Sequence, residues 1–238
     1  MYINRIFELS KLMDQERFQK IFDKVRKQSG CLERNGEEYI DHSLDVEGVT
    51  VIYRDTQYKK KIKILVNSGA ILGSNGTDPD KLIRRLDKCI GRYFGYQYKA
   101  DDFILSGMIM TVDVNVGERE KVAAYLKVLR RIGRVKGFSP IKYDCFDEDS
   151  SFCLEGNSNG VEFMVYDLER ALMGQFHPKE IKKKELRGVI KRAEDILRIE
   201  IRLSRPKAIH NYTDAENATL QIIELSEKCQ DIFLHILT

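Results

Sequence analysis

Residues 161–167 read V-E-F-M-V-Y-D and residues 196–203 read I-L-R-I-E-I-R-L, and these two stretches decide the fold. Each alternates apolar and polar side chains, which is typical of a strand with one buried face. A basic helical stretch, broken at Pro178, lies between them. The pattern predicts a strand–helix–strand unit whose two strands are neighbours, with Tyr166 close to Glu200.

A second unit of the same kind precedes it in the sequence. Together the two units indicate an α+β fold with a mainly antiparallel sheet built from ferredoxin-like strand–helix–strand units, and with helices at both termini. The other predicted elements are a helix within residues 1–28, a hairpin of 49–53 and 62–66, a helix over 80–94, a strand over 103–116, a helix over 118–134, strands over 141–146 and 151–155, a helix over 179–195 and a helix over 214–237.

Three segments are expected along the chain. Residues 1–48 form an N-terminal helical segment, residues 49–210 form the α+β core, and residues 211–238 form a C-terminal helix packed on that core. A chain of 238 residues is long enough to bury a substantial core, either as one large domain or as two small ones.

The composition indicates a soluble, folded protein of a reducing compartment. No apolar run approaches the roughly 18 residues of a membrane helix, and the N-terminus lacks the apolar stretch of a signal peptide. The five cysteines are odd in number and have no disulfide-framework spacing. We therefore expect a cytoplasmic protein with no membrane partner.

Several kinds of catalytic site find no support in the sequence. The four histidines include no histidine–hydrophobe–histidine pair, which excludes the relaxase chemistry that depends on one. No C-x-x-C spacing favours a zinc site, and no G-x-x-x-x-G-K-[ST] loop favours nucleotide hydrolysis. What remains is a tyrosine beside strand-borne carboxylates, a combination suited to metal-assisted phosphodiester cleavage with the phenol as nucleophile.

Positive charge is clustered, although the net charge of +3 is modest for a nucleic-acid-binding protein. The candidate nucleic-acid contacts are Arg130, Arg131, Lys182, Lys183 and Lys184. Such segregation can create a binding face on a nearly neutral protein, although Lys and Arg runs are as often solvated helix faces.

Four motifs carry a resemblance to a known family. They are V-D-V-N-V-G-E-R-E-K-V-A-A-Y-L-K-V-L-R-R-I-G-R-V-K-G-F-S-P at 112–140, L-E-G-N-S-N-G at 154–160, V-Y-D at 165–167 and L-R-I-E-I-R-L at 197–203. In order and spacing they resemble the replication initiators of the replication-initiation-factor and phage-replication-protein type. These are rolling-circle relaxases of plasmids, phages and integrative elements of Gram-positive bacteria. The core would then be relaxase-like.

The resemblance implies DNA nicking at a replication origin. In that family a tyrosine attacks the phosphate, stays linked to the 5′ end and leaves a 3′ hydroxyl, and carboxylates hold the metal. Here Tyr166 would be the nucleophile, Glu200 and Asp113 would help hold Mg²⁺ or Mn²⁺, and Glu155 or Asp167 would complete the shell. Arg198 and Arg202 would contact phosphate. The partner is DNA, as a single strand or an origin hairpin, and a homodimer is possible.

The sequence departs from the family pattern at two positions. The family motif Y-D-K reads Y-D-L here, with Leu168 as its third residue, and the R-I-D triplet of the preceding strand aligns with Gly107, Met108 and Ile109. Both changes favour an alternative: a catalytically disarmed descendant that binds nucleic acid or inhibits a host nucleoprotein such as a CRISPR effector. Two or fewer carboxylates converging near Tyr166 would favour this alternative.

A third interpretation treats the motifs as coincidence in an unrelated α+β protein. Tyr166 is then an aromatic residue at a strand end, and Glu200 forms an exposed ion pair with Arg198 or Arg202. An exposed pair of this kind contributes only about 0–1 kcal/mol and needs no functional explanation.

Overall fold

The structure is a computed structural model, and it describes residues 3–28, 32–73, 78–131, 135, 137–141, 149–157, 160–175 and 184–237. The described chain contains ten strands, and every strand pair with an assigned register is antiparallel. The strands are β1 (Asn4–Met13), β2 (Leu32–Asn35), β3 (Glu38–Asp41), β4 (Val49–Asp55), β5 (Lys60–Asn67), β6 (Ile104–Asn115), β7 (Phe138–Pro140), β8 (Ser151–Gly156), β9 (Val161–Asp167) and β10 (Ile196–Leu203).

Helices lie between runs of one to four strands and at the end of the described chain, which confirms the predicted α+β class with a mainly antiparallel sheet. The helices of the described residues are α1 (Gln15–Gln28), α2 (Ser68–Leu72), α3 (Pro79–Phe94), α4 (Arg119–Arg131), α5 (Leu168–Gln175), α6 (Lys184–Arg192), α7 (Pro206–His210) and α8 (Ala218–Leu237). Among these helices, none combines the length and apolarity that a bilayer crossing requires.

The chain divides into two compact units, at boundaries other than the expected 48/49 and 210/211. One unit, here called the central unit, is Thr111–Ser204. The other, here called the terminal unit, contains the chain up to Met110 together with the chain from Arg205 onward.

The central unit has strand order β6-β10-β9-β8-β7. Alternation along the strands sends side chains to two faces. On one face Val165 and Leu197 pack against Val122 and Leu126 of α4. On the other face Tyr166 packs with Met164, Cys153 and the first residues of α5. The strand–helix–strand pattern predicted for residues 161–203 is therefore present as β9-α5-α6-β10.

The terminal unit has strand order β2-β3-β4-β5-β1-β6. Its aromatic core includes Tyr53, whose hydroxyl donates to the hydroxyl of Tyr93 at 2.9 Å. The Tyr93 hydroxyl in turn donates to Oδ2 of Asp41 at 2.5 Å. Asp41 is only 1% exposed and Tyr53 is fully buried, whereas Tyr93, which links them, is half-buried.

One predicted element is wrong. Residues 4–13 form strand β1, whereas the helical prediction holds only from Gln15 onward. Along β1 the side chains of Arg5, Phe7 and Leu9 are buried at every second position, and Arg5 donates to the backbone oxygen of Ser226. A buried arginine interrupts the apolar alternation in the sequence, and for this reason the pattern did not predict a strand. Most of the strand predicted at 141–146 lies outside the described residues.

Candidate functional site

Tyr166 and Glu200 meet across the β9–β10 pair of the central unit. The register places Tyr166 opposite Arg198, and Glu200 is two residues farther along the same face of β10. The Tyr166 hydroxyl donates to Oε2 of Glu200 at 2.9 Å. This contact confirms the sequence prediction that the two strands are neighbours and bring these two residues together.

Both partners are almost completely enclosed. Tyr166 is 7% exposed and Glu200 is 5% exposed. Burial, together with the negative charge of Glu200, raises the pKa of the Tyr166 phenol, and the nearby guanidinium of Arg198 offsets this only in part. The phenol is therefore neutral at physiological pH and is a weak nucleophile unless a base removes its proton.

The second oxygen of Glu200 is also engaged. Nε of Arg202 donates to Oε1 of Glu200 at 2.5 Å. Because the two residues are two apart on β10, they lie on the same face of the strand. The carboxylate of Glu200 thus joins the Tyr166 phenol to the Arg202 guanidinium in one continuous chain.

Asp113 is paired with the other arginine of β10. Nε and one terminal nitrogen of Arg198 donate to the two carboxylate oxygens of Asp113, at 2.6 and 2.8 Å. This is the two-pronged geometry that an arginine and a carboxylate adopt when each satisfies the other. The side chain of Asp113 is 44% exposed, so solvent screens the pair.

The two remaining predicted metal ligands have other surroundings. Asp167 ends β9 and caps α5, since its Oδ1 accepts from the backbone N–H of Arg170 at 3.1 Å. Glu155 lies on β8, opposite Glu162 of β9. Within the residues that the structure describes, no three His, Cys, Asp or Glu side chains come together as a group that could hold a metal ion.

The predicted donor set therefore does not fit Mg²⁺ or Mn²⁺ in this arrangement. A divalent cation needs several oxygen ligands converging on one point. Asp113 and Glu200 instead each bond to an arginine, which supplies the compensating positive charge that a metal would otherwise bring.

The predicted nucleic-acid contacts are dispersed. Arg130 donates to the backbone oxygen of Ser151 at 3.2 Å and to Asp149 at 3.2 Å, so it fastens α4 to the start of β8. Arg131 is exposed at the end of α4. Lys184 is the first residue of α6, whereas Lys182 and Lys183 lie outside the described residues.

The remaining cations of α6 belong to the basic stretch at 179–192, but the sequence did not single them out as nucleic-acid contacts. Arg187, Lys191 and Arg192 are exposed, while Ile190 of the same helix is buried. Ala193, which follows α6 directly, belongs to the apolar cluster that includes Tyr166. The end of α6 therefore lies on the Tyr166 face of the sheet, whereas α4 packs on the opposite face. The signal was available for Arg187 and Lys191, which are four residues apart and therefore share one face of a helix.

Comparison with known proteins gives little further guidance. No protein-family model matches the sequence, and no curated protein matches it. Among solved structures, the chain is similar to the rolling circle replication initiator protein from Geobacillus stearothermophilus, with a TM-score of 0.40 and 13% sequence identity, over 93% of this chain and 79% of that chain. A likeness at this level establishes neither a shared family nor a shared function.

Proposed function

We propose that the chain is a nucleic-acid-binding protein in which Tyr166 has a structural role. This is the disarmed alternative, without strand cleavage. Its ligand is DNA, as a single strand or an origin hairpin, and the binding surface includes the exposed cations of α6. The family resemblance implies both DNA binding and DNA nicking, and only the binding is proposed for this protein.

The observation that carries the proposal is the engagement of the site's carboxylates by arginine. Glu200 is the one carboxylate hydrogen-bonded to the Tyr166 hydroxyl within the described residues, and Arg202 occupies its other oxygen. Asp113 is held by Arg198. Within the described residues, this arrangement supports the binder, which two or fewer carboxylates converging near Tyr166 would favour.

The side chains of α6 support the binding half of the proposal. Arg187 and Lys191 are one helical turn apart and exposed, and no carboxylate of the described residues forms an ion pair with either. Phosphate contacts by such cations release counterions from the nucleic acid, and this release drives binding that weakens steeply with salt.

An active tyrosine nickase is the second candidate, and the Tyr166–Glu200 contact favours it. A hydroxyl 2.9 Å from a carboxylate has the geometry of a nucleophile and its base. In a nick, Glu200 would accept the phenol proton, the Tyr166 oxygen would bond to phosphorus, and the 3′ oxygen would leave and take up a proton. A bound Mg²⁺ or Mn²⁺ would first require Asp113 to leave Arg198.

A covalent-adduct assay decides between the two candidates. The protein is incubated with Mn²⁺ and with single-stranded and supercoiled DNA from its own genomic neighbourhood, and then run on a denaturing gel. We expect no adduct from the wild-type protein. An adduct that is lost in Tyr166→Phe would overturn the proposal and establish the nickase.

Binding is tested separately, by fluorescence anisotropy of a labelled single strand across a salt series. Arg187→Gln with Lys191→Gln should lower the slope of log affinity against log salt by about 1.4, the value for two lost phosphate contacts on a single strand. Lys121→Gln with Lys127→Gln is the matched control, because both residues are exposed on α4, which packs on the opposite face of the sheet. Equal effects of the two pairs would contradict an α6 binding surface. An absence of DNA binding would contradict the proposal and would favour a protein partner instead.

A further inference from the structure

The terminal unit contains a cavity of about 590 Å³ that lies apart from every residue assigned above. Four of its lining side chains are cationic, and its remaining lining is aromatic, aliphatic or polar, with one carboxylate. The lining residues are Lys11, Arg17, Lys20, Ile21, Lys24, Phe94, Gln97, Tyr98 and Asp102.

Helix α1 supplies most of the positive charge. Arg17, Lys20 and Lys24 are spaced three and four residues apart, so they lie along one face of the helix, and that face lines the cavity. Like charges at this spacing destabilise an isolated helix. A bound anion would remove that repulsion.

The carboxylates near the cavity do not balance this charge. Asp102 is 3.9 Å from Nζ of Lys11, and Asp14 is 3.4 Å from Nε of Arg17. In the part of the chain that the structure describes, no carboxylate forms an ion pair with Lys20 or Lys24. These two ammonium groups are exposed on the cavity wall and can bind an anionic ligand.

Two aromatic rings also line the cavity. Phe94 ends α3, and Gly95 follows with a φ of 117°, a conformation that side-chain-bearing residues rarely adopt. This turn brings Tyr98 back towards Phe94, and the two ring centroids are 6.2 Å apart. Nζ of Lys11 lies 5.4 Å from the centre of the Tyr98 ring, so cationic and aromatic groups adjoin in one wall.

We propose that this cavity binds a nucleoside phosphate. The phosphate would contact Lys20, Lys24 and Arg17, and the base would lie against Ile21, Phe94 and Tyr98. The cavity volume is within the range of small-molecule sites, which is about 300–1,000 Å³. The ligand is either a free nucleotide or one nucleotide unit of a strand, because both present the same chemistry. The inference does not depend on the function proposed for the central unit.

The test measures binding to the full chain by isothermal titration, with AMP, ADP and inorganic pyrophosphate as separate probes, and by anisotropy with a labelled oligothymidylate. Binding of AMP or ADP that displaces no oligonucleotide would identify a free nucleotide as the ligand. Oligonucleotide binding that the pocket variants weaken would identify a strand. Pyrophosphate binding as tight as that of ADP would overturn the assignment, since the rings would then contribute nothing.

Matched variants locate the site. Lys20→Gln with Lys24→Gln should weaken binding about tenfold or more, because each removes a hydrogen bond to a charged group. Arg26→Gln with Lys27→Gln makes the same charge change on the same helix, at residues outside the cavity lining, and should leave affinity within about twofold. Equal losses in both pairs, or no binding of any probe by the wild-type protein, would overturn the proposal. Arg187→Gln with Lys191→Gln should leave nucleotide binding intact, which separates this result from the function of the central unit.

Discussion

In each compact unit a tyrosine hydroxyl donates to an almost completely buried carboxylate. In the central unit Tyr166 donates to Glu200, which also bonds to Arg202. In the terminal unit Tyr93 donates to Asp41 and accepts from a second phenol, Tyr53. Sequence motifs singled out only the first. A buried phenol bonded to a carboxylate is therefore no catalytic signature by itself, and what distinguishes the first contact is its pair of strand-borne arginines.

Removal of Glu200 is the most severe test of that distinction. Glu200→Ala leaves the Tyr166 phenol and the Arg202 guanidinium without their shared acceptor, so the free energy of unfolding should fall by about 3 kcal/mol. Urea unfolding at neutral pH measures it. The exposed residue Glu120 provides the control. A loss no greater than that of Glu120→Ala would show that the hydrogen bonds of Glu200 to Tyr166 and Arg202 contribute little to stability.

The two phenols should differ when each is replaced by phenylalanine. Tyr93→Phe removes a donor to Asp41 and an acceptor from Tyr53, whereas Tyr166→Phe leaves Glu200 bonded to Arg202. We expect losses of about 2 and about 1 kcal/mol, respectively, in the free energy of unfolding. Thermal and urea unfolding both report the difference, and the reverse order would mean that the arginines do not compensate for the lost phenol.

Alkaline pH should lower the free energy of unfolding, because Tyr166 and Tyr93 stay protonated in the folded state. Burial, joined by neighbouring negative charge, raises the pKa of Tyr166 and of Tyr93 above the ordinary value near 10. The folded state then holds protons that the unfolded state releases. Stability is fully present below pH 10 and is lost as the pH rises further, by about 1 kcal/mol per tyrosine between pH 10 and 11.

Urea midpoints at pH 9, 10 and 11 measure this loss. Tyr166→Phe and Tyr93→Phe should each make the decline shallower, whereas Tyr96→Phe should not, because Tyr96 is 84% exposed. An unchanged decline in both Tyr166→Phe and Tyr93→Phe would exclude these phenols as its cause.

The smallest effect is expected at the rim of the Tyr166 site. Asp113→Asn breaks the two-pronged contact with Arg198, but Asp113 is 44% exposed, so the loss should stay below about 1 kcal/mol and shrink in high salt. Unfolding curves at low and high salt provide the measurement. A large, salt-independent loss would mean that the Arg198–Asp113 pair contributes to stability as the buried hydrogen bonds of Tyr166, Glu200 and Arg202 do.

The sequence predicted those parts of the fold in which apolar spacing is regular. Burial alternates along the β4–β5 hairpin, and the polar residues at every second position of β10 were enough to predict that Tyr166 lies near Glu200. Strand β1 escaped prediction because the buried Arg5 breaks its alternation. The partners of Arg198 and Arg202 could not be predicted either, because strand spacing gives the face of a side chain but not which carboxylate it bonds. The α1 cations lay in a segment that matched no motif.

Asp167 has a consequence for motion at the Tyr166 site. It is both the last residue of β9 and the cap of α5, so strand passes into helix with no linking residue between them. The backbone at Tyr166 is therefore held by the helix that follows it, and a shift of that backbone would require the first turn of α5 to unwind. The rate of hydrogen exchange at the Arg170 amide would report how often the first turn of α5 opens. A DNA strand that shifts the backbone at Tyr166 on binding would have to accelerate that exchange.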